Sequence, residues 1–212
     1  VTGSIGARRA NQAGTLWALG YNSYGTLGQG NLTPVSNPIQ IAGSFSMIAG
    51  GDNLNTIHLI RTNGTLWACG QNSGTFGNGL TANASSPVQI AGSWTQIARA
   101  QSAVAGIRSN GTLYTWGTGA QGRLGLGSTT NYSSPMQVLG SWSQVTMGTY
   151  ASAAIRTDGT LWTWGSNSDG LLGQSWSYDS PVQVSTGWSK VQTGYNNSFG
   201  VKTDGTLWAW GY

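Results

Sequence analysis

Glutamate is absent from this chain, histidine occurs once, at His58, and cysteine once, at Cys69. Each scarcity removes a class of function. A single cysteine forms no intrachain disulfide, and a lone thiol is more often a small buried hydrophobe than a reactive group. Five aspartates are the only acidic residues, too few for the carboxylate pairs or ligand clusters on which hydrolases and metal sites are built. Charged residues make up 7% of the chain, against about a quarter in an average domain. No run of about 18 apolar residues exists, so no membrane-spanning helix is expected. The opening VTGSIGARRANQAG lacks the apolar centre of a signal peptide, and residue 1 is not Met, which leaves room for a leader outside this window.

What the chain does have is glycine (34 residues), tryptophan (11) and 38% hydrophobic residues, a composition with too many core-forming groups for a disordered tract. It also has a repeat. GTLWALG, GTLWACG, GTLYTWG, GTLWTWG and GTLWAWG begin at Gly14, Gly64, Gly111, Gly159 and Gly205, at intervals of 50, 47, 48 and 46 residues. Repeats then run 14–63, 64–110, 111–158 and 159–204, with a partial unit at 205–212 and a tail or partial strand at 1–13. Within a unit, short β-branched and aromatic segments alternate with turn formers. We name the strands by depth: innermost (Trp94–Arg99, Trp142–Met147), second (Val104–Arg108, Ala153–Arg156), third (Leu113–Trp116, Leu161–Trp164) and outer (Pro135–Val138, Pro181–Val184). Asn63-Gly64, Asn110-Gly111, Asp158-Gly159 and Asp204-Gly205 read as two-residue type I′ hairpin turns. Four-stranded antiparallel units at this period are the blades of an all-β propeller, four to five of them here. Helices, or strands paired continuously from one copy into the next, would overturn the reading of separate stacked blades.

GTLWTWGSNSDGLLG (Gly159–Gly173), followed by SPVQV and GWSKVQTG, resembles the regulator of chromosome condensation repeat, and the likeness covers Gly14 to Tyr212. The resemblance implies a seven-bladed propeller, and it departs in one respect. The family places a His early in the second strand, where this chain has Ser198, Ser152, Ala103 and Thr56. Five third strands against four of every other type leave one third strand over. The ends therefore read as cuts through a longer array or as ends completed by another chain; closure of five blades, with residues 1–13 as a second strand, is the alternative. Repeats this uniform are similar to bacterial, phage or environmental surface proteins.

An antiparallel blade sends its first-to-second and third-to-outer links to one face and its hairpin turns to the other. The variation between copies collects on the long-loop face, where scaffolds carry function. Candidate binding residues there are Tyr21, Tyr24, Asp52, Asn53, Arg99, Arg123, Tyr150, Asp169, Trp176, Tyr178 and Tyr195; drift in solvated loops would leave the same pattern. Trp176 lies outside every repeated strand slot and is expected either to plug its own blade or to stand exposed beside Tyr178 as a sugar or protein contact. Gly117–Gly122 fits the dinucleotide pattern GxGxxG, but no helix follows it. Arg61, Arg108, Arg156 and Lys202 share one slot, spread over four units, so the formal charge of +4 points to no nucleic-acid partner. The expectation is a non-enzymatic structural or binding module without cofactor or metal, extracellular, at a cell surface or on a virion. It would bind a protein, a glycan or another copy of itself. An exchange-factor-like regulator of a small GTPase is the alternative that the resemblance implies.

Overall fold

The computed structural model describes residues 14–51 and 54–212; the segment 1–13, with the strand proposed for it, lies outside them. The described residues form fifteen strands and one 3-10 turn. Blade one comprises β1 (Gly14–Gly20) and the first part of β2 (Val35–Gly51). Blade two takes the rest of β2, then β3 (Leu54–Arg61), β4 (Thr65–Gly70) and the first part of β5 (Ala84–Ala100). The rest of β5, β6 (Ala103–Arg108), β7 (Leu113–Gly117) and β8 (Tyr132–Val138) form blade three. Blade four is β9 (Trp142–Met147), β10 (Ala151–Arg156), β11 (Leu161–Gly165) and β12 (Tyr178–Ser185). Blade five holds β13 (Trp188–Thr193), β14 (Asn197–Lys202) and β15 (Leu207–Gly211). All pairing is antiparallel.

Pairing runs unbroken from β1 to β8, because β2 and β5 each end one blade and begin the next. The blades remain distinct all the same. Residues 84–93 of β5 pair with β4, and residues 94–100 pair with β6. The bend between them falls at Gly92, with φ 122° and a Cβ position 3.0 Å from both Arg108 Nε and Trp94 Nε1. The outer strands also begin earlier than expected. Pro38, Pro87, Pro135 and Pro181 sit inside their strands, each within a register break opposite the third strand. A bulge on an edge strand tolerates a residue without an N–H.

Side chains bind blade to blade. Gln96 Nε2 donates to Val145 O (3.0 Å) and its Oε1 accepts from Val145 N (3.2 Å); Gln144 repeats both bonds with Val191. Each glutamine thus acts as a strand residue bridging two innermost strands. Leu66, Leu113 and Leu161 of the repeated motif are 0% exposed, whereas the equivalent Leu207, over which no described blade lies, is 70% exposed. Stacking, not the single sheet, buries the motif.

The repeated Asx-Gly-Thr-Leu-Trp is a hydrogen-bond relay. Asp158 Oδ1 accepts from Thr160 N (2.9 Å) and Oγ1 (2.6 Å), and Thr160 Oγ1 accepts from Trp162 Nε1 (2.8 Å). The bond from Thr160 holds the Asp158 carboxyl below the usual range. The hairpin is not type I′. Gly159 N donates to Arg156 O (3.0 Å) and Arg156 N to Thr160 O (2.9 Å), a three-residue loop in which Gly159 alone has positive φ, at 79°. This is a type I turn with a G1 bulge, and the Asx-to-Thr bonds favour it by capping the turn. Gly159 O then accepts Trp188 N of the next blade (2.9 Å). A Cβ on Gly159 would stand 3.7 Å from Trp188 O, so Gly159→Ala should cost only the conformational penalty, about 1–2 kcal/mol, as read by a lower urea midpoint.

The shared basic slot has a structural job. Arg156 Cζ lies 3.8 Å from the Trp162 ring centroid and 5.0 Å from that of Trp142. Arg61, Arg108 and Lys202 stack in the same way on Phe45 and Trp67, Trp94 and Tyr114, and Trp188 and Trp208. Strand pairing corrects one alignment. Opposite the last aromatic slot, Ser152 faces Trp164 and Ser198 faces Trp210, but Val104 faces Trp116 and Ile57 faces Cys69. Thr56 and Ala103 instead face the motif's closing glycines, Gly70 and Gly117, so the four residues aligned from the sequence do not share one slot. Gly117–Gly122 runs into a single 3-10 turn, Ala120–Gly122.

Candidate functional site

The long loops are built platforms. Asn72 Oδ1 accepts from Gly74 N and Phe76 N while its Nδ2 donates to Leu80 O. Asn167 does the same work with Leu172 and Gln174, and Asn22 with Leu27 and Asn31. Each loop inserts an apolar side chain, Leu27, Phe76, Leu124 or Leu172, into the core. One carbonyl per loop then accepts a bond from the next blade: Thr26 O from Cys69 Sγ, Thr75 O from Trp116 Nε1, Arg123 O from Trp164 Nε1 and Ser152 Oγ, Leu171 O from Trp210 Nε1 and Ser198 Oγ.

On this framework five residues from blades three, four and five meet. Arg123 is 7% exposed, donates Nε to Ala120 O (2.9 Å) and Nη2 to Gln121 Oε1 (3.3 Å), and sets its Cζ 5.9 Å from the Tyr150 ring. Burial holds the guanidinium pKa below its ordinary value. Tyr150 meets Tyr195 edge to face, with centroids 5.7 Å apart and hydroxyls 3.4 Å apart. The hydrogen bond with Tyr150, followed by the charges of Tyr150 and Asp169, raises the Tyr195 pKa, so that phenol stays neutral at ordinary pH. With its amide oriented so that the nitrogen faces these acceptors, the arrangement that satisfies both groups, Asn196 donates to Asp169 Oδ2 (3.2 Å) and to Tyr195 O (3.0 Å). Tyr195 is 59% exposed. The two tyrosines stand in corresponding three-residue links, Gly148-Thr149-Tyr150 and Gly194-Tyr195-Asn196, of adjacent blades.

Of the remaining sequence candidates, Tyr178 borders this group, packing on the same buried Ala151, Leu171 and Leu172 cluster as Tyr150; the others lie apart. Arg99 points to blade two, donating Nη1 to Thr56 O and Nη2 to Gln101 O (3.1 Å). Asp52 and Asn53 lie outside the described residues. Tyr21 is exposed and Tyr24 half-buried on blade one's loop. Trp176 is 72% exposed and does not fold back as a plug. A cleft of about 340 Å³ between β8 and β12, walled by Arg156, opens elsewhere, near the turn-side end of the sheets.

Two reactive side chains are out of play. His58 is fully buried, with Nε2 3.4 Å from Phe76 O. Burial first, and Arg99 second, push its pKa down to about 3. Burial pushes the Cys69 thiol up to about 12, so almost no thiolate forms at neutral pH. We expect a maleimide to leave folded protein unlabelled at pH 7.5 and to label it fully in denaturant, as counted by mass spectrometry.

The sequence profile described as the regulator of chromosome condensation (RCC1) repeat matches residues 13–57 and 110–155, and a second profile of that description matches residues 142–171. No curated protein matches the chain in sequence. Among solved structures, human WBSCR16 is similar with a TM-score of 0.78 at 19% identity, over 92% of this chain and 56% of that one. Prp20p from Saccharomyces cerevisiae gives a TM-score of 0.78 at 20% identity, over 96% of this chain and 54% of that one. The structure of Kap60 bound to yeast RCC1 (Prp20) gives 0.75 at 20%, over 93% and 52%. The chain spans about half the length of each of these, and at such identities the likeness shows the fold.

Proposed function

The chain belongs to the regulator of chromosome condensation repeat family, and from that premise we propose that it is a non-catalytic repeat module that binds a protein partner through its long-loop face. One observation carries the reading: the edge-to-face Tyr150–Tyr195 pair, joining adjacent blades, presents a 59% exposed ring on loops fixed by internal hydrogen bonds. An aromatic anchor that is already ordered loses little entropy on binding, which is why tyrosine concentrates at interface hot spots. The low charge and the abundance of Gly, Ser, Thr and Asn support a setting outside the cytoplasm, at a cell surface or on a virion.

The test is retention of partners from an extract of the source organism on immobilised protein. Tyr150→Ala and Tyr195→Ala should each lose the partner, while Asp204→Asn on the opposite face keeps it. A partner retained by the Tyr150→Ala/Tyr195→Ala double variant would refute the assignment of this face, and selective binding to a glycan array would replace protein by sugar.

A second reading is regulation of a small GTPase, supported by the likeness to Prp20p, a protein studied for its binding to Gsp1p and histones. Fold alone is a weak warrant. Nucleotide release from a small GTPase that this chain leaves unchanged would remove it.

A further inference from the structure

Charge in this molecule is sorted between its two faces. Arg61, Arg108, Arg156 and Lys202 end the second strands beside the Asx-Gly turns, and Lys190 pairs with Val201 near that same end. On the loop face the two described arginines are consumed within the fold. Arg99 donates to Thr56 O and Gln101 O, and Arg123, 7% exposed, donates to Ala120 O and Gln121. The carboxylates on that side, Asp169 and Asp179, are half-buried and exposed. A chain of net charge +4 therefore presents its loop face to solvent with negative side chains.

We infer that the Tyr195 ring and the Asp169 carboxylate together receive a basic side chain, arginine or lysine, of a protein partner. The inference rests on the loop-face reading above and names the partner's chemistry. Asn196 holds Asp169 through Oδ2, and Oδ1 accepts no hydrogen bond among the described residues. The carboxylate is thus fixed in place with acceptor capacity to spare, as a charge-assisted bond requires. Tyr195, whose carbonyl accepts from the same Asn196 amide and whose side chain is exposed, offers a π-face to the same cation. Tyr150 holds that ring edge to face, so the receptor is ordered before the partner arrives. An acidic side chain would meet the Asp169 charge here, and the Arg123 guanidinium that could offset it is turned inward.

A random dodecapeptide library displayed on phage, selected against the immobilised chain, tests this. Selected peptides should be enriched in Arg and Lys. A synthetic copy of the leading peptide should bind about two- to fivefold more weakly to Asp169→Asn and to Tyr195→Ala, and about tenfold more weakly to the double variant. Binding should weaken as salt rises from about 50 to 500 mM, and Asp204→Asn, which removes the same charge from the other face, should leave it unchanged. Peptides that depend on Tyr195 without being basic would overturn this inference and leave the loop-face reading standing. Peptides indifferent to Tyr150, Asp169 and Tyr195 alike, or none selected, would overturn both.

Discussion

Replacing Trp164 by alanine is expected to cost about 3–5 kcal/mol, a third or more of the stability of a typical domain. The side chain is 0% exposed, packs at a 6.1 Å centroid separation against Trp142, and donates Nε1 to Arg123 O (2.9 Å). Alanine would open a cavity between blades and remove one of two donors from that carbonyl, the other being Ser152 Oγ. Trp164→Phe keeps most of the ring and should lose far less, mainly one hydrogen bond of about 1 kcal/mol and some packing. Trp210 is only half-buried and its alanine variant should fall between the two. Trp176→Ala, at a side chain 72% exposed, should stay within about 0.5 kcal/mol of the parent. Urea midpoints with an unchanged slope would measure the series. A loss below about 1 kcal/mol for Trp164→Ala would mean that strand continuity, not aromatic stacking, holds the blades together.

That series follows the motif, and the motif was the most legible part of the sequence. Gly-Thr-Leu-Trp at a regular interval gave the strand types, their order and, among the described residues, one more third strand than of any other type, since each depends only on periodicity. Partnerships across long separations were harder to read. Arg156 was visible as a repeated cation, but its sandwich between Trp142 and Trp162 needs the fold of the hairpin. The Asp158-Gly159 pair announced a turn; its type was decided by Thr160, whose backbone and hydroxyl both bind Asp158. Prolines looked like strand starts because a bulge leaves no composition signal of its own. Tyr150 and Tyr195 were each visible as candidates on the same kind of link. Their contact follows from adjacency of equivalent links in neighbouring blades, a signal the spacing of 45 residues already carried. Trp176 was singled out for its odd position, and position alone does not fix which way a loop side chain turns.

Stability should fall as pH drops from about 6.5 toward about 3, and His58 should account for the slope above pH 5. Its folded pKa is about 3, against 6.5 for the free side chain. Over that interval the unfolded chain binds a proton that the folded chain refuses, so stability rises with pH and is fully present only above the unfolded value. The slope approaches about 1.4 kcal/mol per pH unit, and the loss at pH 5 relative to neutrality is about 2 kcal/mol. Composition makes the measurement clean: there is no other His and no Glu, and an unperturbed Asp titrates near 3.9. The cause is burial between blades two and three. The ring lies edge-on to Trp116 at 6.2 Å, with the Arg99 charge further opposing protonation. The equivalent positions in the next two blades are Ala105 and Ala153, both buried and uncharged at every pH. His58→Leu should therefore flatten the dependence between pH 5 and 7, whatever it does to the absolute stability. Urea denaturation of parent and variant at pH 7.5, 6.0 and 5.0 would decide it. A slope that survives in His58→Leu would place the titrating group elsewhere, and a parent with no slope would mean that His58 takes up its proton in the folded state.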